Sequence, residues 1–302
     1  MVRLANVWKP EYLFRPVQVY RRLQRLGAPA PEVATLVLPW GLPIEIRPGE
    51  TIGRLLWALG VFELSVTETL WRLAEPGELA VDVGGNIGYM TSVLAVRAGE
   101  RGRVETFEPH PVLFAELERN LARWSGRPGL ARVVAHPAAV GDAPGEAMLS
   151  VADSFEGNRG LSRIEAEGGP AGRTIPVRLE SLDHVFGADE RIGVLKVDVE
   201  GYELNVLRGA EGLLRDGRIR DVVFEDEGEY PTPVTRFLEE RGYTVFSLRP
   251  QLRGPSVRPA ADPVPPLRMV EAQNYVASVD PERVRRRLAP WGWECLRGRS
   301  GD

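Results

Sequence analysis

Ala80-Val81-Asp82-Val83-Gly84-Gly85-Asn86-Ile87-Gly88 decides the fold of this 302-residue chain. Leu79 to Val83 reads as a short buried strand that runs into a glycine-rich turn, and a helix follows near Tyr89 with Met90, Val93, Leu94 and Val96 as its apolar positions. Glycine lets the backbone turn that tightly beside a ligand because a Cβ would clash with both. The turn is expected to aim free amides at whatever sits above the strand end. Twenty residues past Gly88, Val104-Glu105-Thr106-Phe107-Glu108-Pro109 reads as a second strand closed by an acid. An acid there is placed to accept hydrogen bonds from a ribose diol, so the pattern describes a pocket for a nucleoside-bearing cofactor.

The turn also narrows which cofactor. A dinucleotide fold shows G-x-G-x-x-G with a pyrophosphate at the helix N-terminus. Here Asp82 stands two residues before the first glycine, where it would repel a pyrophosphate but suit the ammonium of a methionine-like group. A nicotinamide oxidoreductase is disfavoured on both counts. The acid before the glycines and the acid after the second strand point together to S-adenosylmethionine. A tight turn with no ligand is the alternative that a glycine motif alone leaves open.

Composition bounds the rest. With 43% hydrophobic and 26% charged residues the chain is an ordinary soluble globular protein. A net charge of −4 argues against wholesale attraction to nucleic acid or anionic membrane. The lone Cys295 excludes an intrachain disulfide and a cysteine-cluster metal site, and three histidines make a histidine-rich one unexpected. No apolar run approaches the ~20 residues of a membrane span. The N-terminus lacks the layout of a signal peptide, so a cytoplasmic location is expected.

Residues 1–61 read as a helical and hairpin extension. Val17 to Leu26 can form an amphipathic helix, 34–46 two short strands around Trp40-Gly41-Leu42-Pro43, and Thr51–Gly60 a helix. Phe62–Leu73 is a further helix that opens the main domain, 62–279. From Leu79 strands and helices alternate: strands 79–83, 103–107, 131–136, 193–198, 222–225, 243–248 and 274–279, with helices 89–98, 111–124, 203–215 and 232–241 between them. That alternation predicts an α/β fold with a mainly parallel seven-stranded sheet and helices on both faces. Residues 145–180 read as an inserted hairpin and loop. Residues 249–270 are proline-rich and read as a long loop or lid. Residues 280–302 form a basic tail whose Arg283, Arg285, Arg286 and Arg287 read as a solvated helix face, or as a dock for a phosphate or acidic carrier.

The residues resemble the FkbM-type methyltransferases, a Rossmann-like branch of the class I S-adenosylmethionine-dependent enzymes. The resemblance runs from Phe62 to Val279. It rests on Phe62-Glu63 with Glu68, the turn Val81–Gly88, Phe107-Glu108-Pro109, Asn120, Leu195-Lys196-Val197-Asp198-Val199-Glu200-Gly201-Tyr202-Glu203, Val206–Ala210 and Glu225. The Lys196–Glu203 block is the most specific of these. The family turn is closer to Asp-x-Gly-Ala-Asn-x-Gly, so Gly85 departs from it with no evident cost. The resemblance implies methyl transfer, usually to oxygen on natural products, sugars or glycans, and to nitrogen in some members.

Candidate site residues follow. Glu108 is expected to hold the ribose, with Pro109 and His110 beside it. Asp82 stabilises either the turn or the ammonium end. Gly84 and Gly88 allow close backbone approach, and Asn86 can bond the turn or the cofactor carboxylate. Asp142, after the third strand, is a candidate for the adenine amino group. Asp198 ends the fourth strand at the edge where open α/β sheets bind ligands, and Glu225 ends the fifth. These two are the catalytic candidates, Asp198 first as base and also as a cofactor contact. The alternatives for them are a divalent-ion site or a network that orients the strand ends and the Lys196 ammonium. Asn158 and Ser162, in an Asn-x-Gly-x-Ser pattern, and Glu200 are substrate candidates. The expected partner is a small-molecule or glycan acceptor. A domain that holds cofactor without turnover, and N-methylation in the same fold, stay open.

Overall fold

The computed structural model describes residues 10–14, 18, 20, 29–151, 163–165, 173–262 and 273–297. The expected helix over 17–26 lies largely outside them. The chain opens with α1 (Pro10–Leu13), the hairpin β1 (Ala34–Val37) and β2 (Pro43–Ile46), α2 (Thr51–Leu59) and α3 (Leu64–Leu73). The alternating unit follows as β3 (Leu79–Val83), α4 (Tyr89–Ala98), β4 (Arg103–Phe107), α5 (Pro111–Trp124) and β5 (Arg132–His136). Next come β6 (Ala138–Val140), β7 (Gly145–Val151), β8 (Arg163–Glu165), β9 (Arg173–Glu180) and α6 (Leu182–Val185). The second half runs β10 (Ile192–Val197), α7 (Glu203–Arg208), α8 (Glu211–Arg215), β11 (Ile219–Asp226), α9 (Pro233–Glu239), β12 (Thr244–Gln251), β13 (Gly254–Pro259), β14 (Gln273–Ser278) and α10 (Pro281–Leu288).

The central sheet has eight strands in the order β13-β12-β14-β11-β10-β3-β4-β5. Strands β11, β10, β3, β4 and β5 are parallel; β14, β12 and β13 complete one side antiparallel. The mainly parallel α/β architecture matches the sequence expectation, with one strand more than the seven expected. The eighth is β13, inside the stretch read as a loop. Its Pro255 and Pro259 would break a central strand, but they are tolerated at a sheet edge where no further neighbour needs their amides. The part of the expected lid beyond Asp262 lies outside the described residues. A second, four-stranded sheet, β6-β9-β7-β8, contains the inserted hairpin, with β7 antiparallel to β9 from Gly145↔Leu179 to Val151↔Arg173. The helix expected over 203–215 is two helices, interrupted at Gly209 and Ala210, where the Asp183 amide takes the Gly209 carbonyl at 2.8 Å.

The N-terminal segment is part of the core. Leu38, Trp40, Leu42, Ile44 and Ile46 are buried in the same apolar cluster as α3 and α4. This explains why α4 is covered on nearly every side: Trp40 donates its indole N–H to Ser92 Oγ at 3.1 Å and packs on Trp71 and Tyr89. The C-terminal end is built in as well. The solvated face expected over 283–287 fails at Arg283, which is buried and donates to Asp221 (2.7 Å), Glu75 (2.6 Å) and the Leu73 carbonyl (2.7 Å). Arg285 and Arg286 are exposed. Among the described residues no helix is long and apolar enough to cross a membrane.

Candidate active site

The strand order reverses between β3 and β10, and the side chains at that switch are polar. In the parallel register Lys196 of β10 lies beside Asp82 of β3, and Asp82 beside Thr106 of β4. Lys196 Nζ is 3.3 Å from Asp82 Oδ1 and 3.2 Å from Asp198 Oδ2, and donates to the Gly84 carbonyl at 2.9 Å. Thr91 on α4 donates to Asp82 Oδ2 at 2.6 Å. Burial works against the Lys196 charge, but the Asp198 and Asp82 carboxylates outweigh it and raise its pKa. A carboxylate as buried as Asp82 is tolerable because Oδ2 accepts the Thr91 hydroxyl and the Lys196 ammonium faces Oδ1, which makes no hydrogen bond, as an ion-pair partner. Asp82 is not among the residues lining the adjacent cavity. Its partners are the lysine and the helix.

The turn after β3 is held against the neighbouring strand ends. Gly84 has φ 83°, and a Cβ on it would come within 2.0 Å of the Asp198 carbonyl oxygen. At Gly85 a methyl would meet Thr106 Oγ1 at 2.2 Å, which gives a physical reason for glycine where the resemblance leads one to expect alanine. The expectation of free amides fails. The Gly84 and Gly85 amides both donate to the Phe107 carbonyl, Asn86 N to Glu108, Ile87 N to the Asn86 side chain, and Gly88 N to the Gly85 carbonyl. Strand β4 lies so close to the turn that its last carbonyl and the following carboxylate satisfy the donors internally.

Glu108 is the acceptor at the centre of this arrangement. It is 5% exposed, and its carboxylate accepts from Asn86 N (2.9 Å) and His110 N (2.8 Å). Burial raises its pKa to about 7, against the opposing pull of those two amides and Lys196. His110 itself turns away: its Nδ1 caps α5 by accepting from Val112 N at 3.2 Å, and it does not line the cavity. Pro109 does.

The cavity over these strand ends has a volume of about 800 Å³. Val83 to Ile87, Phe107 to Pro109 and Ala138 to Val140 line one end, and Lys196 with Asp198 to Glu200 lie along it. Glu225 and Asn274 face each other in register across β11 and β14 and close another side, with Glu63, Tyr202 and Trp293. Half-buried Glu225 has its pKa raised to about 7, first by burial and then by the negative charges of Asp198, Glu200 and Glu203. Glu203 holds the bend between β10 and α7 by accepting from Gly201 N at 3.0 Å. Among the described residues three non-glycine ones have left-handed backbones, Glu63, Asn86 and Glu200, and all three line this cavity. Such conformations cost energy and collect where a site fixes them.

Of the sequence candidates, Gly84, Asn86, Glu108, Pro109, Asp198, Glu200 and Glu225 therefore converge on one cavity. Gly88 starts α4 beside it with φ 91°. Asp142 is exposed and off the cavity, because the small sheet presents Ala138 to Val140 there and the chain leaves it after Gly141. Asn158 and Ser162 lie outside the described residues. Among the described residues no three His, Cys, Asp or Glu side chains are placed to share a metal ion. Glu63, Tyr202, Asn274 and Trp293 were not anticipated as lining residues. The pairing of Asn274 with Glu225 depends on β14 entering antiparallel, which no local pattern announces.

The family model described as the methyltransferase FkbM domain matches residues 82–245. The chain belongs to the FkbM methyltransferase family. "Methyltransferase 1" of Beauveria bassiana is 30% identical over 202 residues, covering 59% of this chain and 77% of its own. "Hexuronic acid methyltransferase AglP" of Haloferax volcanii is 30% identical over 181 residues, covering 59% and 68%. A solved structure of an FkbM methyltransferase from Methylobacillus flagellatus is 16% identical with a TM-score of 0.44, covering 68% of this chain and 43% of that one. This FkbM protein is thus an S-adenosylmethionine-dependent methyltransferase. The donor set fits that cofactor: a buried carboxylate suits a ribose diol, and the cavity volume is in the range of small-ligand sites. The matched FkbM segment supplies the glycine turn, Glu108, Lys196, Asp198 and Glu225, while Phe62, Glu63, Leu248, Asn274 and Trp293 line the cavity from outside it.

Proposed function

We propose that this protein transfers a methyl group to a hydroxyl of a small molecule or sugar. The observation that carries the reading is Glu225, a half-buried carboxylate with a pKa near 7 on the cavity wall beside Asp198. A general base is most effective with its pKa near the working pH. An alcohol needs such a base; a neutral amine acceptor does not.

When bound, S-adenosylmethionine supplies a methyl group on a sulfonium whose departure requires no acid. The protein's contribution is then alignment and proton removal. In this reading Glu108 accepts from the ribose hydroxyls, and Asn86 with the glycine turn shapes the methionine end. Lys196 holds the Asp198 side chain, which orients the acceptor. Asp198 is committed to that ammonium, so Glu225 takes the hydroxyl proton in its place. Glu200 and Asn274 offer polar contacts to further hydroxyls. A sugar acceptor is supported by the Haloferax relative, whose name specifies a hexuronic acid.

The test is a tritiated-methyl screen against hydroxylated metabolites and sugars, with and without chelator, with the labelled atom located by fragmentation. Label on oxygen supports the proposal. Label on nitrogen overturns it in favour of N-methylation. Tight cofactor binding with no label on any acceptor favours a binding module.

A further inference from the structure

We propose that the surface around Trp291 docks onto an anionic lipid bilayer. Leu13, Leu252 and Trp291 are exposed by 45%, 52% and 62%; Leu13 ends α1, Leu252 is in the turn between β12 and β13, and Trp291 follows α10. Trp291 packs edge-on against Phe14 at 5.6 Å. Gly292 N donates to the Arg253 carbonyl at 2.7 Å, and Trp293 Nε1 to the Leu252 carbonyl at 3.2 Å.

The exposed indole is held in place from below. Arg72 donates to the carbonyls on both sides of Trp291, Pro290 at 2.7 Å and Gly292 at 2.8 Å. Arg72 is itself locked to Glu68 at 2.6 Å, with both side chains almost fully buried, and Glu68 accepts from the amides of Glu294 and Cys295 at 2.8 Å each. This buried ion pair fixes the backbone so that Trp293 goes fully inside and Trp291 stays out.

Charge identifies the partner. A groove of about 360 Å³ beside Trp291 is lined by Arg253, Arg258 and Arg285 and by no carboxylate. Arg285 also reaches Glu282 at the helix surface. Apolar side chains on turn tips, an indole and flanking guanidinium groups are the composition that settles at the headgroup level of a membrane. A discrete phosphate would engage the arginines and leave Leu13, Leu252 and Trp291 in water. The overall charge of −4 is no obstacle, because the field of an anionic leaflet decays within a Debye length and acts on the nearest charges. Pro10, Glu11 and Trp293, neighbours of these residues in the chain, line the large cavity. Docking would bring the edge of that cavity at Pro10 and Glu11, about one helical turn from Leu13, near the lipid surface. That this favours a lipid-borne acceptor rests on the proposed function; the docking does not.

The experiment is vesicle flotation of the full chain with phosphatidylcholine alone and with phosphatidylcholine plus phosphatidylglycerol. Indole fluorescence is recorded alongside, as is S-adenosylhomocysteine binding by calorimetry. The expected result is flotation with the anionic vesicles only, weakened by salt, with a blue-shifted emission. Trp291→Ala with Leu252→Ala, and separately Arg253→Glu with Arg258→Glu, should each weaken vesicle binding about tenfold or more. S-adenosylhomocysteine affinity should stay unchanged in both, which keeps a failure of docking distinct from a failure of the enzymatic reading. The proposal is overturned by no flotation with either vesicle, by flotation that survives both double variants, or by inorganic phosphate binding the groove while vesicles do not.

Discussion

The two ends of the cavity are built on different terms. At the glycine-turn end, where the cofactor is proposed to bind, each charged group is buried and already engaged: Asp82 with Thr91 and Lys196, Glu108 with two amides, and the turn's own amides with β4 or within the turn. From Asp198, which adjoins Lys196, outward to Glu200 and Glu225, like charges crowd together, and several of the lining residues come from outside the FkbM segment. The first arrangement is held by hydrogen bonds and an ion pair internal to the protein. Each end holds one carboxylate with its pKa raised by burial to about 7: Glu108, opposed by two amides, in the first, and Glu225, pushed further by neighbouring negative charge, in the second.

If the cofactor end is self-supporting, removing its cation should do the most damage. Lys196→Met leaves Asp82 buried beside a methyl group and should cost about 3–5 kcal/mol in urea unfolding. A loss below about 1 kcal/mol would mean the ion pair is not what permits the burial. At the other wall, Glu225→Gln should keep the fold and cofactor affinity but slow turnover by about a hundredfold or more. In the native enzyme the rate should rise with pH through about 7, as Glu225 ionises, and the variant should lose that limb. An unchanged pH–rate profile in the variant would remove Glu225 as the base.

Glu108→Ala should weaken S-adenosylmethionine binding by about 1–3 kcal/mol, measured by calorimetry. Equal affinity would remove the ribose assignment and the contrast with it. The same carboxylate also acts on stability. The Glu108 pKa is about 7 in the folded protein against an ordinary 4.5, so between these values the folded state binds more protons than the unfolded one. Stability then falls as pH rises across that window. The contribution of the protonated acid is complete below about pH 4.5 and lost as pH passes through about 7. Urea midpoints across this range should show that slope, and Glu108→Gln should flatten it.

The same contrast governs what could be read from the residues alone. The glycine turn, Glu108 and the Lys196–Glu203 block are short continuous stretches whose chemistry is local, and they reach one cavity as expected. Three features resisted because they depend on distant neighbours. β13 survives its prolines only because it is at a sheet edge. Arg283 is buried only because Asp221 and Glu75 wait for it. Asp142 misses the cavity because β6 joins a second sheet. Trp293 gave no signal either, since its place is set by Glu68 and Arg72, more than two hundred residues earlier in the chain.

The contact between Gly85 and Thr106 has a consequence for divergence among relatives. A methyl at the first position and a hydroxyl at the second compete for the same space. A methyl at residue 85 carries a steric penalty for as long as the Thr106 hydroxyl stays, whereas Thr106 can shrink beside a glycine without one, so a lineage that acquires alanine after Gly84 must first, or at once, yield room on the adjoining strand. The order of change is thereby fixed, and an alanine engineered at residue 85 should succeed only together with a smaller residue at 106.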